Sequence, residues 1–330
     1  MSKVKVGVVG VGRMGTYHVG ILSELPELEL AAVVDTDSNN LQAIKKNYGT
    51  PGFNNHKDLY GKVEVAVVAV PTGLHYQITK DLLSAGIHVL LEKPCAHDLD
   101  QARELFQIAE DKGLTLHIGH VERFNGAVQE LHKIVDSPIF VECKRMGPFT
   151  NRIKDDGVVL DIMIHDIDII LNLIKSKVVE TYVLGSSVFS KKDDLVNAQL
   201  EFENGCIANI LASRVSQNQV RTLSVTQKDS YLVLDYTDQE IYVHKKSSSE
   251  HKLSKDSVRY KQESLVERIF VHKDNPLKLE LKHFLDCATN GHQRKVAIDS
   301  ELYSLEIALN ILDQFNKKNR KYFPLRQADQ

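Results

Sequence analysis

Short apolar runs alternate with amphipathic stretches along the first third of the chain. Val4-Lys5-Val6-Gly7-Val8-Val9 reads as a buried strand, and a glycine-rich turn leads into a helix over about 14–25 that stops before Pro26. A second strand over 28–34 ends at Asp35, and Ser38 is placed to cap a helix running to about residue 48. The dense apolar run 63–70 closes on Pro71-Thr72-Gly73, and a helix follows over 74–85 with Gly86 as its stop. Another strand, 87–91, ends at Glu92-Lys93-Pro94; Asp98 caps a helix to about residue 112, Gly113 ends it, and 114–118 is a further strand. Strands that are apolar throughout and alternate with helices predict a parallel sheet covered on both faces.

The rhythm changes near residue 120. A helix over about 125–135 leads into strands over 139–146, 178–189, 195–202, 206–214, 221–226 and 231–235, with Asn204-Gly205 marking a hairpin. A helix over about 158–174 interrupts the series. Residues 245–265 are polar and read as a long surface loop; helices over 277–288 and 300–316 close the chain, and the C-terminal tail is expected to be loose. Successive strands with short turns predict a mostly antiparallel sheet with helices on one face. The expected fold is therefore α/β: a doubly wound Rossmann-type domain over 1–120 and an α+β domain with a large, mostly antiparallel sheet over 121–330.

With 41 basic and 44 acidic residues, a net charge of −3 argues against a general nucleic-acid binder. No signal-like stretch opens the chain and no run of about 18 apolar residues occurs, so no membrane span is expected. Cys95, Cys143, Cys206 and Cys287 are widely spaced with no C-x-x-C pair. That spacing argues against a zinc site or a disulfide framework and suits a reducing cytoplasm.

Gly10-Val11-Gly12-Arg13-Met14-Gly15 is G-x-G-x-x-G, set between a strand and a helix. The first glycine makes the tight turn, the second admits a pyrophosphate to the backbone, and the third lets helix and strand pack closely. The helix N-terminus then offers free N–H groups and the positive end of its dipole. Asp35 lies at the end of the second strand, where a carboxylate meets the ribose hydroxyls of NAD, although Asp37 is close by. The other reading is a structural glycine turn in a different doubly wound fold.

Lys93 stands on the carboxyl edge of the sheet, where open α/β sheets bind ligands. Pro94 is suited to a cis peptide that would fix its direction, and the positive nicotinamide ring would loosen its proton by like charge. The alternative is a surface lysine in a turn. Asp161 and His165 are i and i+4 in an otherwise apolar helix, with Asp168 three positions further on. A histidine with a carboxylate neighbour suits a general base for hydride removal from an alcohol; a buried polar patch that docks two elements is the competing reading. No metal site is expected here, since no thiolate or second histidine is near.

Together the glycine turn, Val70-Pro71-Thr72-Gly73-Leu74-His75, Glu92-Lys93-Pro94 and Asp161-x-x-x-His165 resemble the glucose–fructose oxidoreductase, inositol dehydrogenase and rhizopine-catabolism (Gfo/Idh/MocA) family over essentially the whole chain. The resemblance implies NAD as cofactor, held around Gly10, Gly12, Arg13, Met14, Gly15, Asp35, Thr72, His75, Glu92 and Lys93. It implies a substrate site lined by Lys93, Asp161 and His165, and a homo-oligomer, dimer or tetramer, formed through the sheet domain. The family often has two or three glycines before D-x-x-x-H; here only Gly157 remains in Asp155-Asp156-Gly157-Val158-Val159-Leu160.

Gly119-His120-Val121-Glu122-Arg123-Phe124-Asn125 and Glu267-Arg268-Ile269-Phe270-Val271 resemble more narrowly the branch that includes UDP-N-acetylglucosamine 3-dehydrogenases. That resemblance implies a UDP-sugar substrate oxidised at carbon 3. A diphosphate needs cations, and Arginine forks suit its oxygens. Arg145 and Arg152 are the expected phosphate partners, with Arg123 and Asn125 nearer the sugar; solvated loop charges, or an Arg123-Phe124 tie between domains, are the bland readings. The alternatives are an inositol or free-sugar dehydrogenase, a reductase of a non-sugar carbonyl, and a non-catalytic nicotinamide sensor on the same fold.

Overall fold

The computed structural model describes residues 3–150, 155–246 and 264–322. In chain order the first elements are β1 (Val4–Val9), α1 (Arg13–Glu24), β2 (Leu28–Val34), α2 (Ser38–Tyr48), β3 (Gly52–Phe53), β4 (Val65–Val68), α3 (His75–Ser84), β5 (His88–Glu92), α4 (Leu99–Asp111) and β6 (Leu116–Gly119). They are followed by α5 (Gly126–Ile134), β7 (Phe140–Met146), a π-turn at Val159–Met163 and α6 (Ile164–Ile174). The strands β8 (Val178–Ser186), β9 (Leu195–Phe202), β10 (Ile207–Ser213), β11 (Val220–Thr226), β12 (Ser230–Asp235), β13 (Glu240–Lys246) and β14 (Ser264–Ile269) come next, and α7 (Pro276–Asn290) and α8 (Ile298–Tyr322) end the described chain.

These elements form two compact units. The first gathers Met1–Phe124, Asn151–Asp168 and Asn275–Leu312; the second gathers Asn125–Thr150, Ile169–Asp274 and Asp313–Gln330. The first crossing falls close to the expected boundary at 120, but the division into 1–120 and 121–330 is too simple. Two later segments return to the first unit. Their apolar residues explain why: Leu281, Phe284 and Leu285 of α7 complete the same core as Val6, Val8, Val19, Leu22, Val33, Val65 and Val67. Phe284 and Leu281 are fully buried, a burial that stabilises by roughly 1.5–3 kcal/mol for each such side chain.

In the first unit six parallel strands lie in the order β3-β2-β1-β4-β5-β6. The order reverses beside β1, between its pairings to β2 and β4, and it is outside the carboxyl ends of such strands that open α/β sheets bind ligands. Local chemistry sets the helix ends. Asp37 caps α2 by accepting from the Asn39 N–H at 2.8 Å, Asp98 caps α4 through the N–H groups of Asp100 and Gln101, and Asn275 caps α7 ahead of Pro276.

The second unit holds eight strands in the order β14-β13-β12-β11-β7-β10-β9-β8. All neighbours are antiparallel except β7 and β10, which run parallel, so the mostly antiparallel sheet is as expected. One face is apolar and buried, with Val183, Ala198, Ile210, Val141, Val225, Leu232 and Ile241 fully or almost fully enclosed. Part of the expected 245–265 loop is instead strand: β13 pairs with β14 from Ile241↔Ile269 to Lys246↔Ser264. Charged residues at Glu240, His244, Lys245 and Lys246 conceal the alternation, as is usual near a sheet edge. The rest of that loop, and the tail beyond residue 322, lie outside the described residues. Among the described residues no helix is long and apolar enough to cross a membrane.

Candidate active site

The turn after β1 has the geometry that each of its glycines requires. Gly10 sits at φ +84°, and a Cβ there would lie 2.6 Å from the Ala69 carbonyl oxygen. A Cβ on Gly15 would fall 1.8 Å from the Gly10 carbonyl oxygen, so only glycine lets α1 pack on the turn. Around Gly12 nothing lies within 4 Å of a Cβ, and no side chain caps α1. The open helix N-terminus therefore fits a pyrophosphate. Arg13 and Met14 begin this helix on its exposed side, with the Arg13 Nε donating to the Tyr17 hydroxyl at 3.1 Å.

Asp35 closes the cradle. Its carboxylate accepts the Val11 N–H at 2.8 Å, the Asp37 N–H at 2.8 Å and the Asn40 side-chain N–H at 3.2 Å. Asp37, the rival acid, is committed to capping α2. A carboxylate has about four acceptor positions, so Asp35 keeps capacity toward a ribose hydroxyl and brings its negative charge to the turn.

At the end of β5 the Lys93–Pro94 peptide is cis. The Lys93 ammonium donates to Asp161 Oδ1 at 2.9 Å and also to the Asp161 carbonyl oxygen. Asp161 lies in the π-turn that precedes α6, and its N–H is bonded to the Gly157 carbonyl at 3.0 Å. Such single-turn widenings of a helix are frequent at functional sites. His165 follows one turn later, half-buried, its ring edge-on to that of His120 at 6.2 Å between centroids. Lys93 and Asp161 are thus brought into direct contact, with His165 on the next turn, and all three keep some exposure to solvent.

Other expected site residues lie elsewhere. Thr72 donates to Asp156 Oδ2 at 2.6 Å, and His97 meets the other Asp156 oxygen at 2.7 Å. Asp156 thereby ties the glycine-poor segment before Asp161 to the β4–α3 turn. His75 is buried between the Pro94 and Val70 carbonyls, 2.8 and 2.9 Å from its two ring nitrogens. Burial outweighs both carbonyls and lowers its pKa, and the buried ring braces the turn rather than facing solvent. Glu92 is turned inward to His18 of α1 at 2.7 Å, both of them buried. Burial raises the Glu92 pKa, but the His18 hydrogen bond and neighbouring charges bring it below the ordinary value.

The substrate residues inferred from the narrower resemblance need correction. Arg123 is not open to a sugar: its Nε and Nη2 fork onto both Asp168 oxygens at 2.7 and 2.6 Å, and Nη1 donates to Glu301 at 3.0 Å. Arg294 shares the same Glu301 oxygen at 2.8 Å. Asp168, seen from the sequence as a neighbour of His165, is spent on Arg123 and the Ser304 hydroxyl. Burial pushes its pKa up, but the Arg123 charge, His120 and these hydrogen bonds outweigh it and hold Asp168 at about 2. Asn125 belongs to the second unit, where it caps α5 through the Ala127 N–H and donates to the Tyr236 carbonyl. Arg145 is buried in that unit with its guanidinium 4.7 Å from the Tyr236 ring centroid. Arg152 lies outside the described residues. Phe270, from the second motif of the narrower resemblance, is 86% exposed beyond β14, and Arg268 beside it pairs with Glu240.

Sequence reasoning missed His18, His120, Asp156 and Glu301. One of them carried a readable signal: His18 falls on the apolar stripe of α1 with Gly15, Val19 and Leu22, a spacing at which a histidine needs a buried partner.

An open glycine turn before α1, a carboxylate after β2 and a lysine–carboxylate pair after β5 stand at the carboxyl ends of one sheet, an arrangement that fits a nicotinamide-dependent dehydrogenase. Bound NAD supplies the hydride acceptor. Comparison with known proteins agrees. Residues 4–120 match the oxidoreductase family with an NAD-binding Rossmann fold, and residues 117–231 match the GFO/IDH/MocA C-terminal domain. The chain belongs to this family of NAD-dependent sugar and polyol oxidoreductases. It is 29% identical over 245 residues to UDP-N-acetylglucosamine 3-dehydrogenase of Acidithiobacillus ferrooxidans, spanning 74% of this chain and 78% of that protein. A solved structure of that enzyme superposes with a TM-score of 0.86 at 25% identity, over 96% of this chain and 99% of the other. The chain is also 21% identical to scyllo-inositol 2-dehydrogenase (NAD(+)) of Bacillus subtilis over 95% of its length and 94% of that protein.

Proposed function

We propose that the protein oxidises a secondary hydroxyl of a nucleotide sugar, carbon 3 of UDP-N-acetylglucosamine being the favoured position. The C–H hydride passes to NAD, the hydroxyl proton passes to His165, or to Lys93 once its ammonium has given a proton to solvent, and a ketone is left. The observation that carries the reading is the Lys93–Asp161 pair at 2.9 Å with His165 one turn away, beside the cofactor cradle. Lys93 and His165 act on the reacting oxygen, and Asp161 orients the lysine. Similarity to the Acidithiobacillus enzyme supports the UDP-sugar; with Arg123 and Asn125 committed internally and Arg145 buried, Arg152 is left of the expected partners for its diphosphate. The near full-length likeness to an inositol dehydrogenase supports a second reading, a free polyol substrate.

Two further readings accompany this one. The outward face of the second unit's sheet carries exposed Tyr182, Leu184, Ile207 and Tyr231, an apolar surface fit for a homo-oligomer. The four cysteines are all thiols, in keeping with work in the cytoplasm. The deciding experiment follows NADH absorbance with UDP-N-acetylglucosamine, inositols and free sugars, alongside calorimetric titration of UDP in the presence of NAD. Turnover of the UDP-sugar with binding of UDP is expected. Robust oxidation of a free polyol without UDP binding overturns the nucleotide-sugar reading, and NAD binding without turnover of any alcohol overturns the enzymatic one.

A further inference from the structure

A second constellation of ligating side chains lies in the first unit, outside the Lys93–Asp161–His165 site. His117 stands on β6; His283 and Cys287 are i and i+4 on α7, and so share a helix face. One ligating atom from each of the three lies within 4.8 Å of the others. The rings of His117 and His283 are 5.4 Å apart between centroids, and the Cys287 sulfur is 3.7 Å from His283 Nε2. In a tetrahedral zinc site, Zn–S near 2.3 Å and Zn–N near 2.05 Å put a nitrogen and a sulfur about 3.6 Å apart. The sulfur–Nε2 separation has that length, and the sulfur–Nδ1 separation is 4.0 Å.

A second, independent observation points to a ligand. His117 and His283 line a cavity of about 20 Å³ together with Glu280, Arg123, Arg294 and Glu301. A volume near 10–15 Å³ is the least that holds one water-sized body. Glu280 is 2% exposed, and among the described residues neither of its oxygens has a hydrogen-bond partner. The same is true of the buried His117 Nε2. An imidazole nitrogen buried without a partner costs free energy until a donor, a water or a cation meets it.

We propose that His117, His283 and Cys287 form a binding site for one thiophilic divalent metal ion, with Zn²⁺ the best fit and water completing its coordination. Two imidazoles and a thiolate are ligands of this borderline-soft ion. Cys287, whose thiol donates to the Gln293 carbonyl oxygen at 3.6 Å, gives its proton to solvent as the sulfur–metal bond forms. At His283 the metal takes Nδ1, or takes Nε2 in exchange for the Lys295 N–H that it accepts at 3.2 Å. The nearby Arg123, Arg294 and Lys295 oppose a cation; Glu301, paired with both arginines, offsets them in part. The ion would tie β6 to α7 and hold the link between α7 and α8, which is otherwise fastened by Arg294 to Glu301 and to the Leu116 carbonyl.

The test uses the full chain, stripped with a chelator and then titrated with Co²⁺ or Zn²⁺ alone. One Co²⁺ per chain is expected, with the intense visible bands of tetrahedral cobalt and a near-ultraviolet thiolate-to-cobalt band. Both should vanish in Cys287→Ser and persist in Cys206→Ser. Zn²⁺ should raise the melting temperature of the wild type but not of Cys287→Ser, and should shield Cys287 from iodoacetamide in peptide mapping. This last readout needs no variant and stands if Cys287→Ser fails to fold. A weak octahedral spectrum, cobalt bands that survive Cys287→Ser, or unchanged alkylation of Cys287 at saturating Zn²⁺ would each overturn the proposal.

Discussion

Two charged clusters meet the same stretch of chain and differ in kind. At Asp161, Lys93 makes one side-chain contact, and the two side chains keep 17% and 22% of their surface in solvent. At Asp168, two turns further on, Arg123 is forked, Ser304 adds a hydrogen bond and Glu301 binds both Arg123 and Arg294, with Asp168 only 1% exposed. The residue types are nearly the same. Residual exposure and spare hydrogen-bonding capacity separate groups able to receive a substrate from groups whose capacity is spent on the fold. The difference also explains why a motif arginine in a recognisable segment proves to be a strut.

Loss of Arg123 has the largest expected effect. Arg123→Met leaves Asp168 and Glu301 buried without their shared cation, and should destabilise the protein by about 3–5 kcal/mol, read by denaturant unfolding. Adding Asp168→Asn should recover part of that loss. A change under about 1 kcal/mol would place Arg123 among ordinary surface charges. Lys93→Ala and His165→Ala should do the reverse. Turnover should fall on the order of 10²-fold or more, while unfolding moves by about 1 kcal/mol or less and NAD still binds. Near-normal turnover in either variant would remove that residue from the chemistry.

A smaller effect is expected at the cofactor cradle. Asp35→Ser should reduce the preference for NAD over NADP by about tenfold, or ~1.4 kcal/mol, because the carboxylate no longer repels a 2′-phosphate. Unchanged ratios of kcat/KM would show that Asp35 serves only the Val11 amide. The smallest effect is in pH. Asp168 is held at about 2, below its unfolded value near 3.9. Its contribution to stability is therefore present above about pH 4 and lost as pH falls toward 2. Glu280 runs the other way: burial, with Glu92 and Glu301 nearby, raises it well above its ordinary value. Its contribution is complete below about pH 4.3 and is lost as pH rises through the folded-state value. Glu280→Gln should flatten the alkaline limb of the stability profile, and Arg123→Met should flatten the acid limb.

The parallel sheet, the glycine turn and the Asp161–His165 spacing were legible because each rests on local pattern: continuous apolar strands, φ-restricted glycines and helical spacing; Lys93, 68 residues from Asp161, was joined to them only through the family resemblance. The paired commitments of Arg123, Glu92 and Asn125 were not, because partners such as Glu301 and Tyr236 lie more than a hundred residues away. A side chain's type does not say whether its hydrogen bonds are already taken. The edge strands β13 and β14 were hidden by polar residues, and the return of α7 to the first unit was hidden because an amphipathic stripe does not name the sheet it covers.

That return has a consequence for synthesis. The first 124 residues leave the ribosome carrying Val6, Val19 and Val67 but not Leu281, Phe284 or Leu285, which seal the same core. About 150 residues of chain separate the two, a delay of about 8–30 s at 5–20 residues/s. The nascent dinucleotide-binding lobe therefore emerges with an uncovered apolar flank that invites chaperone capture, and a fragment cut at residue 120 should aggregate rather than serve as an autonomous NAD-binding module.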